Sequence, residues 1–268
     1  MSHQIVPRDL DVDFSAVPRR WLADNAAATA IANGVNLLFP YGERFFVRSV
    51  KHFLDRVEDP DLRARIKGFF GQEGRHARAH DRFNTVLRAQ GYEIDQFLAS
   101  YERLASWLER QTPFELHLAA TAAAEHFTAI MAEGAFTRGV LDQCDPRMRE
   151  LLAWHAAEEI EHKAVAFEVL QQVAPAYAWR IAGLVWSSAT LFGFWFWATT
   201  TLLRQDGMSW RAALAMLREL PNRDYVVRVF GRGIREYLRP GFHPNDNDHT
   251  ELAATWLAAR GMRLPVAA

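Results

Sequence analysis

Two segments of the chain have residue types and spacing that suit metal chemistry: Glu73-Gly74-Arg75-His76 and Glu159-Ile160-Glu161-His162. Both read Glu-x-x-His. On an α-helix, positions three apart share a face, so the carboxylate and the imidazole can reach one ion. That donor pair suits iron or manganese, and zinc less selectively. A single copy arises by chance on many surface helices. Here each copy is preceded by a helical segment with an interior glutamate: Glu43 lies 30 residues before Glu73 (73 − 43), and Glu125 lies 34 before Glu159 (159 − 125). A turn near Pro60 would bring Glu43 and Glu73 level in an antiparallel pair, and one near Asp145 would do the same for Glu125 and Glu159. Four carboxylates and two imidazoles would then converge at mid-height in a helical bundle, the ligand set of di-iron and di-manganese carboxylate bundles. The neighbouring sequence is apolar, and burying four glutamates there is costly unless cations compensate them.

Helices must position these residues, and the punctuation fits. Apolar positions three or four apart run from Ile31 to Leu54, with a kink or restart expected at Pro40 and Gly42. Glu58-Asp59-Pro60-Asp61 reads as a stop, a turn and the acidic start of a helix over 61–90, closed by Gly91. A short connecting helix is expected over 95–110. Thr112-Pro113 predicts an N-cap and first-turn proline for a helix to about Leu141, and Asp145-Pro146 opens a fourth helix ending before Pro175. No stretch alternates like a strand, so the class is all-α.

The segment 24–172 resembles the ferritin-like di-metal carboxylate superfamily. Its motif order and spacings are most similar to the oxygen-activating branch, which includes bacterial multicomponent monooxygenases and ribonucleotide reductase small subunits. A longer stretch, about residues 15–240, including Phe39 to Phe46 and Trp154 to Val169, resembles a bacterial family catalogued as predicted metal-dependent hydrolases. The resemblance implies a ferritin-like four-helix bundle over 24–175, an N-terminal arm over 1–23 and a C-terminal helical extension over 176–268. It implies six metal ligands: Glu43, Glu73, His76, Glu125, Glu159 and His162.

Metal-bound histidines need an acceptor for their other ring nitrogen. Gln72 and Glu158, each just before a motif glutamate, are the expected partners, as in related oxygen-activating enzymes. Gln72 stands where an acidic residue is more usual, so the two metal positions need not be equivalent. His80 and His155 lie seven residues from Glu73 and His162, on the metal-facing stripes; an ordinary hydrogen-bonded core histidine is the commoner outcome for such positions. Glu133, a candidate seventh ligand, and His126 follow Glu125 at different angles. Thr121 and Thr128 sit a turn either side of Glu125, beside a dioxygen pocket if there is one. Asp246-Asn247-Asp248 superficially resembles a calcium loop but lacks its glycine and distal glutamate.

A net charge of −1 argues against a nucleic-acid binder. With Cys144 the only cysteine, an intrachain disulfide and a thiolate cluster are excluded. The first 25 residues lack an apolar run, which points to a cytoplasmic protein. Ile181 to Leu203 carries no charge and is long enough to span a bilayer, but as an all-round apolar helix it also suits a buried core or a membrane-docking surface at the inner face. Amphipathic helices are expected at 208–219 and 222–239, and a short one near 251–260.

The expected function is a non-haem di-iron enzyme that uses dioxygen and an external electron donor to oxidise a small hydrophobic substrate, with a homodimer as the expected assembly. Manganese or zinc in place of iron would suit a two-metal hydrolase. An iron-binding ferritin-like protein and a membrane-associated scaffold with a vestigial site are the non-enzymatic alternatives.

Overall fold

The computed structural model describes residues 4–219 and 225–262. Among them every regular element is helical, and the only β-type pairing is one isolated bridge between Leu22 and Cys144. Residues 1–3, 222–224 of the expected 222–239 helix, and 263–268 lie outside the described residues.

The chain begins as an extended segment and then forms α1 (Ala26–Asn36) and α2 (Phe39–His52). Asn25 caps α1 by accepting from the Ala28 amide. The restart falls before Glu43 because Pro40 occupies the first turn of α2, where its missing N–H costs nothing. Next come α3 (Pro60–Ala89), capped by Asp59, and α4 (Asp95–Arg110). Gly91 between them has φ 89°, the left-handed region that favours glycine. In α5 (Phe114–Thr137) the expected cap differs: Pro113 takes the N-cap position, while the Thr112 hydroxyl turns back to Leu108 and His117. α5 also ends four residues before Leu141.

The expected fourth helix is two: α6 (Pro146–His162), capped by Asp145, and α7 (Val165–Val173). The break follows His162 directly, at Lys163, whose ammonium donates to the Asn247 carbonyl. The C-terminal elements are α8 (Tyr177–Gln205), α9 (Trp210–Arg218), α10 (Tyr225–Tyr237) and α11 (Thr250–Ala258).

α2 packs on α3 and α5, α5 on α6 and α7, and α3 on α6 and α7, which makes a bundle. Along α3, Leu62, Ile66 and Phe69 belong to one apolar cluster and Phe83 and Leu87 to another; the polar residues 72–76 lie between. Along α6 and α7 the sequence is mirrored: Leu151 and Trp154, then the polar layer, then Val165 and Leu170. The carboxylate layer is therefore held between two apolar layers. Each fully buried Leu or Phe there contributes roughly 1.5–3 kcal/mol.

α8 lies against α1 and α5. At Gly183 a Cβ would collide with the Ala119 backbone, so only glycine allows the helices this close. Trp195 Nε1 donates to the Ile31 carbonyl at 2.7 Å. The helix is not buried all round: only 22% of its most apolar window is buried, and Val185 (63% exposed) and Phe196 (59%) face outward.

Candidate metal centre

α2 brings Glu43 to the polar layer, α3 brings Glu73 and His76, α5 brings Glu125, and α6 brings Glu159 and His162. All six are at most 3% exposed, so bulk water does not solvate them. His162 Nε2 lies 3.2 Å from oxygens of both Glu73 and Glu125 and 3.4 Å from Glu159 Oε2. His76 Nδ1 lies 3.7 Å from Glu73 Oε1 and 3.7 Å from Glu159 Oε1. Glu73 and Glu159 thus face both histidines, and Glu159 offers a different oxygen to each. Glu43 stands on the His76 side, its Oε1 3.7 Å from His155 Nε2.

Three donor groups emerge among the described residues, each with its atoms within 4.8 Å of one another: Glu73, Glu125 and His162; His76, His155 and Glu159; and Glu43, His80 and His155. His155 belongs with the first-sphere candidates, since its Nε2 lies 2.7 Å from Glu159 Oε1. His80 is also close to Glu43 and His155, but both of its nitrogens are engaged, which makes it a support for His155 instead of a donor.

Outer hydrogen bonds aim one nitrogen lone pair of each histidine inward. His76 Nε2 donates to Glu158 Oε2 at 2.9 Å, leaving Nδ1 to face the carboxylates. His162 Nδ1 donates to Gln72 Oε1 at 2.8 Å, leaving Nε2 inward. The partners are crossed, because the residue beside each motif glutamate holds the histidine of the other motif. His155 is set by a longer relay. Asp81 can only accept, and it takes the Asn84 amide; Asn84 Oδ1 takes the Asn36 amide at 2.9 Å. Asn36 Oδ1 then accepts from His80 Nδ1 at 2.6 Å, and His80 Nε2 accepts from His155 Nδ1 at 2.7 Å. The other ring nitrogen of His155, Nε2, is hydrogen-bonded to Glu159 Oε1 at 2.7 Å and faces the carboxylates.

Eight of the inward atoms are among the buried polar atoms left without hydrogen bonds: both oxygens of Glu43, Glu73 and Glu125, with His76 Nδ1 and His162 Nε2. Buried polar atoms are ordinarily satisfied, so a set of orphaned oxygens and imidazole nitrogens around one point fits cations. Two divalent ions would balance the four carboxylates.

Protonation in the metal-free protein follows. Burial, reinforced by the neighbouring carboxylates, drives Glu43 and Glu73 well above the usual range. Burial lifts Glu125 to about 7 against the pull of His162. Burial would raise Glu159 too, but His162 and His155 together hold it well below. Burial would lower His162, but Glu125 and Glu159 raise it well above 6.5, so a proton sits where a cation would bind. His76 and His80 are kept neutral by burial and by the neighbouring His155.

The remaining candidates separate. Thr128 donates to Glu159 Oε2 and so supports a candidate ligand. Thr121 instead meets the Ser49 hydroxyl at 2.7 Å. His126 meets the Gly233 carbonyl at 2.9 Å, packed among Tyr237 and Phe242. Glu133 is corrected: its carboxylate is drawn outward to Arg232 at 3.0 Å and His249 at 3.5 Å, away from the donor clusters. Asn36, Asn84 and Glu161 carry no sequence signal. His155 carried one, since four residues before Glu159 is the same helix face.

Searches of curated proteins and of solved structures found no match. The family described as "predicted metal-dependent hydrolase" matches residues 6–248, and the chain belongs to it.

Proposed function

We propose that the protein is a two-metal enzyme, with iron at both positions, that uses dioxygen and an external electron donor to oxidise a small apolar substrate. The observation that carries this reading is an apolar cavity of about 130 Å³ that reaches Glu43, Glu159 and Thr128. It runs between α2, α4, α5 and α8, walled by Phe39, Phe46, Leu108, Trp186, Leu191 and Phe194 among others. An apolar space of this size suits a benzene-sized molecule or a short alkyl segment. Four carboxylates and the two Glu-x-x-His imidazoles are the donors of di-iron bundles, and His155 is additional to them.

Iron held there would supply dioxygen activation, with dioxygen as the oxidant and the electrons coming from the external donor. The chain's own residues do the rest. Glu43, Glu73, Glu125 and Glu159 would supply the carboxylates that hold the iron, and His76, His155 and His162 the imidazoles. Thr128 holds Glu159 Oε2 in place. Phe39 lies across the rings of His80 and His155, and Trp154 meets His76 edge-on, excluding water from the donor set.

A second reading is favoured by the family description: hydrolysis assisted by two zinc or manganese ions. On the comparisons alone it stands ahead of oxidation; the apolar cavity weighs the other way, because hydrolysis requires water at the site. Metal content decides between them. Protein produced with added iron and carrying about two irons per chain, with reductant-dependent oxygen uptake, supports oxidation. Zinc or manganese at that ratio, with turnover that needs no reductant, supports hydrolysis. A chain that binds no metal removes both.

A further inference from the structure

We propose that Arg8, on the extended N-terminal segment, is a positioning residue for both metal positions at once. The inference rests on the two-metal reading above and adds an element that neither motif contains. Two glycines of α3 form the seat for this segment: a Cβ at Gly68 would collide with Ile5, and one at Gly71 with Pro7. Seated there, the chain presents the Val6 carbonyl to Gln72 Nε2 at 3.2 Å and sends Arg8 between two buried glutamates of α6.

From Arg8 two hydrogen-bonded paths diverge. In one, the Arg8 amide and Nη1 both donate to Glu158 Oε1 at 3.1 Å, and Glu158 Oε2 accepts from His76. In the other, Nη1 and Nη2 grip the Glu161 carboxylate at 2.8 Å each; Glu161 Oε2 accepts from Gln72 Nε2, and Gln72 Oε1 accepts from His162. One planar guanidinium therefore fixes the outer partners of one histidine from each motif. The fork matters: its separated donors engage two carboxylates, which a lysine ammonium cannot reproduce in the same geometry. Orientation of outer partners is worth 10–100-fold in metal affinity at other sites.

The test is cobalt(II) titration of the full chain, followed by visible absorption and by competition with a chelator, for wild type, Arg8→Gln, Arg8→Lys and Arg75→Ala. The last removes the exposed Arg75–Asp9 pair, a separate anchor of the same segment. Arg8→Gln should lose about 10–100-fold in affinity at both positions and change the cobalt spectrum. Arg8→Lys should keep the charge and the fold yet fail to restore the spectrum, while Arg75→Ala stays like wild type. Unaltered affinity and spectrum in folded Arg8→Lys overturn the inference, and so does a loss in Arg75→Ala equal to that in Arg8→Gln. If wild type binds no cobalt, the two-metal reading fails first.

Discussion

Substituting His80 by leucine probes the relay that aims His155. Its five side chains, from Asp81 through Asn84, Asn36 and His80 to His155, direct His155 Nε2 at Glu159, 2.7 Å away. His80→Leu removes the acceptor of His155 Nδ1 and lets the ring turn or change tautomer. Loss of such an outer partner costs 10–100-fold in metal affinity, about 1.4–2.8 kcal/mol. A separate cost falls on folding, because His155 Nδ1 and Asn36 Oδ1 lose a buried partner, about 1–3 kcal/mol for each group left unsatisfied. Chelator competition resolves two dissociation constants and thermal unfolding of metal-free protein isolates the second cost. One constant should rise 10–100-fold, that of the His76–His155 position, while the Glu125–His162 position changes little. A lowered Tm with both constants unchanged would refute the reasoning and leave His80 a packing residue; an equal rise in both would refute the assignment of His155 to one position.

The stability of the metal-free protein should fall as pH rises from about 6.5 to about 8. In that window Glu125 (about 7), Glu43, Glu73 and His162 hold protons in the folded state that the unfolded chain has released, so deprotonation favours unfolding. The lowered histidines His76, His80 and His126 add stability only as pH rises towards 6.5 and are neutral in both states above it. Chemical denaturation with and without metal checks this; a flat metal-free profile would contradict it. Ala124→Phe, on the cavity wall, should cost about 1–3 kcal/mol of stability by overpacking. It should abolish binding of fluorobenzene, followed by fluorine NMR, without altering metal content; binding as in wild type would remove the cavity from the function.

The sequence by itself determined the helical class and most helix boundaries, because these depend on local chemistry: Asp59 and Asp145 at caps, prolines in first turns, Gly91 at a positive φ. It also singled out the six glutamates and histidines: a three-residue spacing puts Glu73 with His76 and Glu159 with His162 on one helix face, and the turns near Pro60 and Asp145 bring Glu43 and Glu125 level with them. Three things waited for the tertiary structure. The crossing of partners, Gln72 to His162 and Glu158 to His76, depends on how α3 and α6 face each other, and spacing within one helix says nothing of that. The promotion of His155 and the removal of Glu133 turn on which way each side chain is pulled. A chain of amides and His80 draws His155 inward, and Arg232 with His249 draws Glu133 out. Arg8 is the extreme case: 150 residues separate it from Glu158, and no periodicity or local motif encodes a contact made only when an extended segment settles against two glycines of a distant helix.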